Sequence, residues 1–163
     1  MRTEILLGDI LNTNAQYLSK ELASLGIGVT HQCTVGDNRE RLLSAIDLAF
    51  SRCDMIIFTG GLGPTPDDLT KEVCSEYFGK ELLLDKEIAD GIEQYFRDRN
   101  RSMPESNLKQ ALVPEGAKVL DNTCGTAPGF IMEQNGKIIV ILPGPPHEMT
   151  KKYKNGVKPY LEE

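Results

Sequence analysis

Met55-Ile56-Ile57-Phe58-Thr59-Gly60-Gly61-Leu62-Gly63-Pro64-Thr65-Pro66-Asp67-Asp68-Leu69-Thr70 is the stretch that decides the fold. Its first part is a short continuous apolar run, bounded by Asp54 and by Thr59-Gly60-Gly61, which is the pattern of a strand buried on both faces. Its second part is a Gly-rich loop that opens a helix at about Asp68. Upstream, Ile10 to Leu25 places Ile10, Leu11, Leu18, Leu22 and Leu25 on a largely common helical face, with Gly26 as a stop signal. Gly28 to Val35 is rich in β-branched residues and is predicted as a strand. Asp37 or Asn38 then caps a second helix carrying Leu42, Leu43, Ile46 and Phe50. Strands alternating with helices in this way predict a parallel sheet with right-handed crossovers, hence a doubly wound α/β fold.

Downstream, Lys86 to Arg99 and Glu105 to Leu112 have helical patterns separated by Ser102-Met103-Pro104, and predict a lobe beside the sheet. Lys118 to Leu120, Phe130 to Glu133 and Ile138 to Leu142 are predicted strands, the last two joined at Asn135-Gly136 as a hairpin that closes the sheet. A final helix starts around Pro145-Pro146. The whole of 1–163 is expected to form one domain.

With 40% hydrophobic and 26% charged residues, a chain of 163 residues can bury a sizeable core. No stretch approaches the roughly 20 apolar residues of a membrane-spanning helix, and no signal-peptide pattern follows Met1, so a cytoplasmic location and no membrane partner are expected. Cys33, Cys53, Cys74 and Cys124 lack zinc-site spacing and are read as reduced thiols. A net charge of −6 argues against nucleic acid as a partner. It also requires that any anionic ligand be held by local devices, such as backbone N–H groups, a few lysines or a bound cation.

The Thr59 to Thr70 loop stands at the carboxyl end of the best strand, where open α/β sheets bind ligands. Thr59, Gly60, Gly61, Gly63, Pro64 and Thr65 are therefore candidate ligand contacts: the glycines permit close backbone approach, and the following helix aims N–H groups at a phosphate or carboxylate. The plainer alternative is a turn capped by Asp67 or Asp68. The loop is neither Gly-x-Gly-x-x-Gly nor a Walker loop, which lowers the dinucleotide and nucleoside-triphosphate readings. Of the two aspartates, one suits a helix cap and the other a metal ion or a ligand hydroxyl.

Leu142-Pro143-Gly144-Pro145-Pro146-His147-Glu148 repeats the logic of strand, rigid turn and helix start, making Gly144 and Pro145 candidate contacts and Glu148 a candidate metal ligand as well as a simple dipole partner. His147 is better read as a surface or capping residue. Gly125-Thr126-Ala127-Pro128-Gly129 is a third small-residue loop, fit for close approach or merely for a turn. Lys109 could neutralise an anion, with Gln110 beside it. Asn12 and Asn14 suit capping, or reading the edge of a base or pterin.

Taken together, Asn12-Thr13-Asn14-Ala15-Gln16-Tyr17-Leu18, Val35-Gly36-Asp37-Asn38, the Thr59 to Asp68 loop, Lys109-Gln110-Ala111-Leu112-Val113-Pro114, Gly125 to Gly129 and Leu142 to Met149 resemble the N-terminal domain of the CinA competence/damage-inducible family. The resemblance covers nearly the whole chain. It implies the molybdopterin-binding fold of MogA, MoaB and a MoeA domain, a three-layer α/β/α arrangement that assembles into dimers or trimers. It further implies functional roles for Asp68 and Asp37, with Gly60, Gly61 and Gly63 forming the binding loop.

CinA-type domains are associated with metal-dependent hydrolysis of the pyrophosphate in ADP-ribose-like nucleotides, and full-length members add a C-terminal deamidase domain that this sequence lacks. The sequence also departs from the family at its start, where a first strand is expected but only Met1-Arg2 precedes Thr3-Glu4. The gap could be filled by Thr3 to Leu7 or by another subunit, or could mark a shortened version of a longer natural protein, and it puts Glu4, Asp9, Asn12 and Asn14 in question as site elements. The leading expectation is a nucleotide pyrophosphatase that uses a divalent ion, Mg2+ or similar, held by Asp68 with Asp37 or Glu148. The rivals are a molybdopterin-binding module without chemistry and an inactive oligomeric remnant.

Overall fold

The structure, a computed structural model, describes residues 5–6, 11–122 and 124–163. Its elements are α1 (Thr13–Ser24), α2 (Arg39–Phe50), β1 (Met55–Thr59), α3 (Thr70–Tyr77), β2 (Leu82–Leu84), α4 (Lys86–Arg97), a 3-10 turn (Glu105–Ala111), β3 (Leu112–Pro114), β4 (Lys118–Leu120), β5 (Gly129–Gln134), β6 (Lys137–Leu142), α5 (Pro146–Lys152), a π-type turn (Tyr153–Val157) and α6 (Lys158–Glu162). The main sheet has the order β1-β6-β5-β4. β1 runs parallel to β6, while the β6–β5 and β5–β4 pairs are antiparallel, so the described sheet is mixed. The expected hairpin is present, with Asn135 and Gly136 both at positive φ as a two-residue primed turn requires.

The alternation of side chains along β6 sets the three layers. Ile139 and Ile141 face a cluster with Leu42 and Ile46 of α2, Val73 and Cys74 of α3, and Phe130 and Met132 of β5. Val140 and Leu142 face the opposite cluster, with Leu18 and Leu22 of α1, Met149 of α5 and Tyr153. Helices thus cover both faces of the sheet, as the α/β/α expectation requires. β2 and β3 form a separate two-stranded sheet beside α4 and the 3-10 turn, the lobe foreseen from the helical patterns.

Three expectations are corrected. Gly28 to Val35 forms no strand. It is anchored by Ile27 N–H on the Leu22 carbonyl (3.0 Å) and by Gln32 Nε2 on Ser19 Oγ (2.8 Å), and residues 28–33 are exposed. β-branched composition favours a strand only where a ladder partner exists, and none pairs with it among the described residues. A cavity of about 680 Å³ beside Ser19, Ala23 and residues 26–32 flanks this unpaired segment and contains none of the glycine loops. Leu11 lies outside the helix and is 86% exposed, because Asn12 starts the helix after it. β1 is half-buried rather than buried on both faces. The Asp54 carbonyl accepts from Ile138 N–H and Gly60 N–H donates to the Leu142 carbonyl, so the even-numbered residues turn their backbone groups to β6 and Ile57 turns its own to the other edge. No strand covers that edge among the described residues.

Ile10, Glu4 and Asp9 lie outside the described residues; of Thr3 to Leu7 only Ile5 and Leu6 are described, and both are helical. No helix of the described residues is long and apolar enough to cross a membrane.

Ile141 is fully buried between the helix layer and β5. Ile141→Ala is expected to cost about 2–5 kcal/mol of unfolding free energy, from lost transfer and an unfilled cavity, as measured by urea denaturation.

Candidate functional site

The parallel register places Thr59 opposite Leu142, so two strands end level and release their loops side by side. A Cβ on Gly144 would stand 3.5 Å from the Gly60 Cα, which makes this the crossing point of the two loops. Gly60 and Gly61 have φ of +96° and +71°, conformations that side-chain-bearing residues rarely adopt. Gly61 is doubly constrained, because a Cβ there would fall 2.0 Å from Thr70 Oγ1. Thr70 is 1% exposed and its Oγ1 has no hydrogen-bond partner among the described residues.

The loop closes on itself through Asp68, whose Oδ2 accepts from the Thr65 N–H (3.1 Å) and the Thr65 hydroxyl (2.6 Å) and lies 2.3 Å from where a Gly63 Cβ would be. The expected helix start at Asp68 and the capping reading of the aspartates are corrected here. α3 begins at Thr70, after Leu69, with no side-chain cap. The Thr65 hydroxyl and N–H hold Asp68 back inside the loop, a local side-chain bond that competes with helix capping.

The 3-10 turn supports the loop from one side. Lys109 Nζ donates to the Thr65 carbonyl (2.9 Å) and to the Asp68 carbonyl, and lies 3.7 Å from Glu72. Gln110 Nε2 donates to the Leu62 carbonyl (3.1 Å), with its Oε1 accepting from Asn107 (2.9 Å). Lys71, 3% exposed, donates to the carbonyls of Lys109 (2.6 Å) and Leu112 (2.7 Å) and so binds the turn to α3. Burial lowers its pKa to about 8, with Glu72 pulling it up and Lys109 adding to the depression.

The third loop meets α5. Glu148 accepts from Asn122 Nδ2 (2.7 Å), which also donates to the Ala127 carbonyl (2.9 Å), and a Cβ on Gly125 would stand 2.3 Å from Glu148 Oε2. Thr126 lies half-buried in this loop and Pro145 half-buried in the second. Lys152, also 3% exposed, anchors the third loop by donating to the Leu120 and Asp121 carbonyls (3.1 and 2.8 Å). Burial lowers its pKa to about 8, against the raising influence of Glu148 and then of Cys124 and Asp121.

Of the predicted site residues, Thr59, Gly60, Gly61, Gly63, Pro64, Thr65, Asp68 and Lys109 form one connected loop structure, and Gly144 joins them at the crossing. Gly125 is joined to Glu148. Asp37 lies half-buried in the turn before α2, where Asn38 rather than Asp37 caps the helix by accepting from Arg41 N–H. Asn12 serves as the cap of α1, accepting from Ala15 N–H at 3.1 Å, and it is Asn14 that reaches the crossing, donating to the Gly144 carbonyl at 2.9 Å. The sequence reading passed over Lys71, Glu72, Asn107, Asn122 and Lys152. Lys71, Glu72 and Lys152 carry no local signal of partners some 30 to 40 residues away.

A family model described as a probable molybdopterin binding domain matches residues 2–163. The chain belongs to that family. Within it the chain is of the CinA type: a putative competence-damage inducible protein of Caldicellulosiruptor saccharolyticus is 61% identical over 160 residues, 98% of this chain and 39% of the relative. The CinA protein of Thermoplasma acidophilum superposes with a TM-score of 0.85 at 33% identity, over 96% of this chain and 91% of that one. The molybdopterin biosynthesis enzyme MoaB of Thermus thermophilus shares the fold, with a TM-score of 0.61 at 20% identity, over 95% of this chain and 84% of that one. This CinA-type domain spans about two-fifths of the length of the curated relatives it matches.

The depressed pKa of Lys71 gives the domain a pH signature. Between about 8 and the ordinary 10.5 the unfolded chain binds a proton at this lysine that the folded chain does not. Stability therefore rises with pH through that window. Relative to Lys71→Met, the native protein is expected to gain about 3 kcal/mol between pH 8 and 10.5, read from paired denaturant melts.

Proposed function

We propose that this CinA-type domain binds a phosphate-bearing nucleotide of the ADP-ribose class at the crossing of its glycine loops and hydrolyses the pyrophosphate bond with the help of a divalent ion. The observation that carries the reading is the level ending of β1 and β6, which sets Gly60-Gly61 against Gly144 with Thr70 Oγ1 buried and, among the described residues, unpartnered behind them. Close backbone approach suits a diphosphate, and the Thr70 hydroxyl can donate to a phosphate oxygen. Lys109 adds positive charge locally in a chain of net charge −6.

Among the described residues no three His, Cys, Asp or Glu side chains cluster as a metal cage. The set instead offers single carboxylates: Asp68 over Gly63, Glu148 over Gly125, and Asp37 ahead of α2. Mg2+ is commonly held by one or two carboxylates together with substrate phosphates, so this donor set fits such an ion and fits a closed structural site poorly. When bound, the ion supplies neutralisation of phosphate charge and polarisation of a phosphoryl oxygen. The domain's own part is to seat the diphosphate on the loops and orient Asp68. Water adds to one phosphorus as the bridging P–O bond breaks, giving AMP and ribose 5-phosphate.

The family's description favours a second reading, in which the same loops hold molybdopterin without turnover. AMP release from ADP-ribose, with Mg2+ and with EDTA, separates the two. Metal-dependent release is expected, reduced by on the order of 10²-fold or more in Asp68→Ala, the loss typical of removing a group that acts at the reacting centre. A folded chain that releases no AMP under any divalent ion but binds molybdopterin would overturn the hydrolase reading in favour of the second.

A further inference from the structure

Asn14 is the second residue of α1 and is only 8% exposed, an unusual place for an amide in a first helical turn. It has no local duty, because Asn12 already supplies the cap. Its Nδ2 donates to the Gly144 carbonyl, which fixes the orientation of the amide: the nitrogen must face the carbonyl, so the oxygen faces the other way. That Oδ1 is buried and has no hydrogen-bond partner among the described residues. A buried acceptor left alone is costly and calls for an explanation, of which a group from outside the protein is one.

The position and polarity of this oxygen define what can meet it. Gly144 abuts Gly60, so the Asn14 side chain, bonded to the Gly144 carbonyl, stands beside the proposed diphosphate seat. A phosphate oxygen is itself an acceptor and would be repelled there. The complementary group is a donor carried next to the phosphates, and in a nucleotide the group bonded directly to the diphosphate is a ribose with free hydroxyls. A base or pterin N–H lies further along the molecule.

We infer that Asn14 is a specificity-determining residue whose Oδ1 accepts a hydrogen bond from a ribose hydroxyl of the nucleotide seated at the glycine loops. The inference rests on the nucleotide reading given above and adds to it a requirement for a sugar. The Nδ2 contact to Gly144 serves the same end, because it holds the acceptor in place while tying the first turn of α1 to the second loop.

The test is a cycle that crosses the side chain with the ligand group. Binding of ADP-ribose, and of analogues lacking one ribose hydroxyl at a time, is measured by calorimetry on the full chain and on Asn14→Ala, in EDTA and again in Ca2+. For the native chain, one deoxy analogue is expected to bind about tenfold more weakly, the size of one hydrogen bond to a buried acceptor. Asn14→Ala should bind ADP-ribose and that analogue alike. Any loosening of the Gly144 loop in the variant weakens both ligands equally and cancels in the cycle. Should Asn14→Ala fail to fold by circular dichroism, the analogue series on the native chain and on Asn14→Ser carries the same comparison.

Equal discrimination by native and variant chains, or a native chain indifferent to every hydroxyl, overturns the assignment of Asn14 while leaving the nucleotide reading intact. A native chain that binds no ADP-ribose in either buffer yet binds molybdopterin overturns both.

Discussion

The parallel pairing of β1 with β6 is the constraint on which the rest of the site depends. In register, Thr59 lies opposite Leu142, and both strands release a glycine-containing loop at one level. Residues 82 apart in sequence, Gly60 and Leu142, are then joined by a backbone hydrogen bond of 2.8 Å. A register slip of one residue would reverse the facing of Ile139 and Ile141 relative to Val140 and Leu142, moving each from one core cluster to the other. Core packing therefore enforces the register, and the register makes the loops meet. The site is a consequence of the core rather than an addition to it.

Around that crossing, two buried lysines perform the same task at different loops. Lys71 holds the carbonyls of Lys109 and Leu112, and Lys152 those of Leu120 and Asp121. Burying an ammonium is costly, as the lowered pKa of both lysines records. What the cost secures is geometry. Each ammonium satisfies two carbonyls of a segment that would otherwise be left partly unpaired, and each segment carries a site group: Lys109 in one case, Asn122 with its hold on Glu148 in the other. These are charge-assisted bonds inside a low-dielectric environment, stronger than their surface counterparts.

The sequence was informative wherever a signal was local. The apolar run at Met55 forms a strand, the Asn135-Gly136 pair a hairpin turn and Asn38 a helix cap, all of which report on their immediate neighbours. It was uninformative wherever the outcome depended on a distant partner. Gly28 to Val35 has strand composition, but composition cannot supply the strand next to it. Leu82 to Leu84 lacks β-branched residues and becomes a strand only because residues 112–114 lie antiparallel to it. The choice between Asn12 and Asn14 follows the same rule. Both suit a cap by type; the first satisfies Ala15 three residues away, whereas the second is defined by Gly144, 130 residues away.

The glycines of the site share a geometry that shapes its loops. At Gly61, Gly63 and Gly125 the space a side chain would fill is taken by a side-chain oxygen from elsewhere: Thr70 Oγ1, Asp68 Oδ2 and Glu148 Oε2 respectively. Two of those oxygens are carboxylate oxygens held by Thr65 and by Asn122, so their charge is partly engaged and their direction fixed. Without a Cβ, each loop can fold tightly under a polar side chain. An alanine at any of the three would displace the oxygen, and at Gly61, with φ of +71°, it would strain the loop as well. The absence of a side chain at these glycines is therefore what lets the polar groups of neighbouring elements stand beside the loops at all.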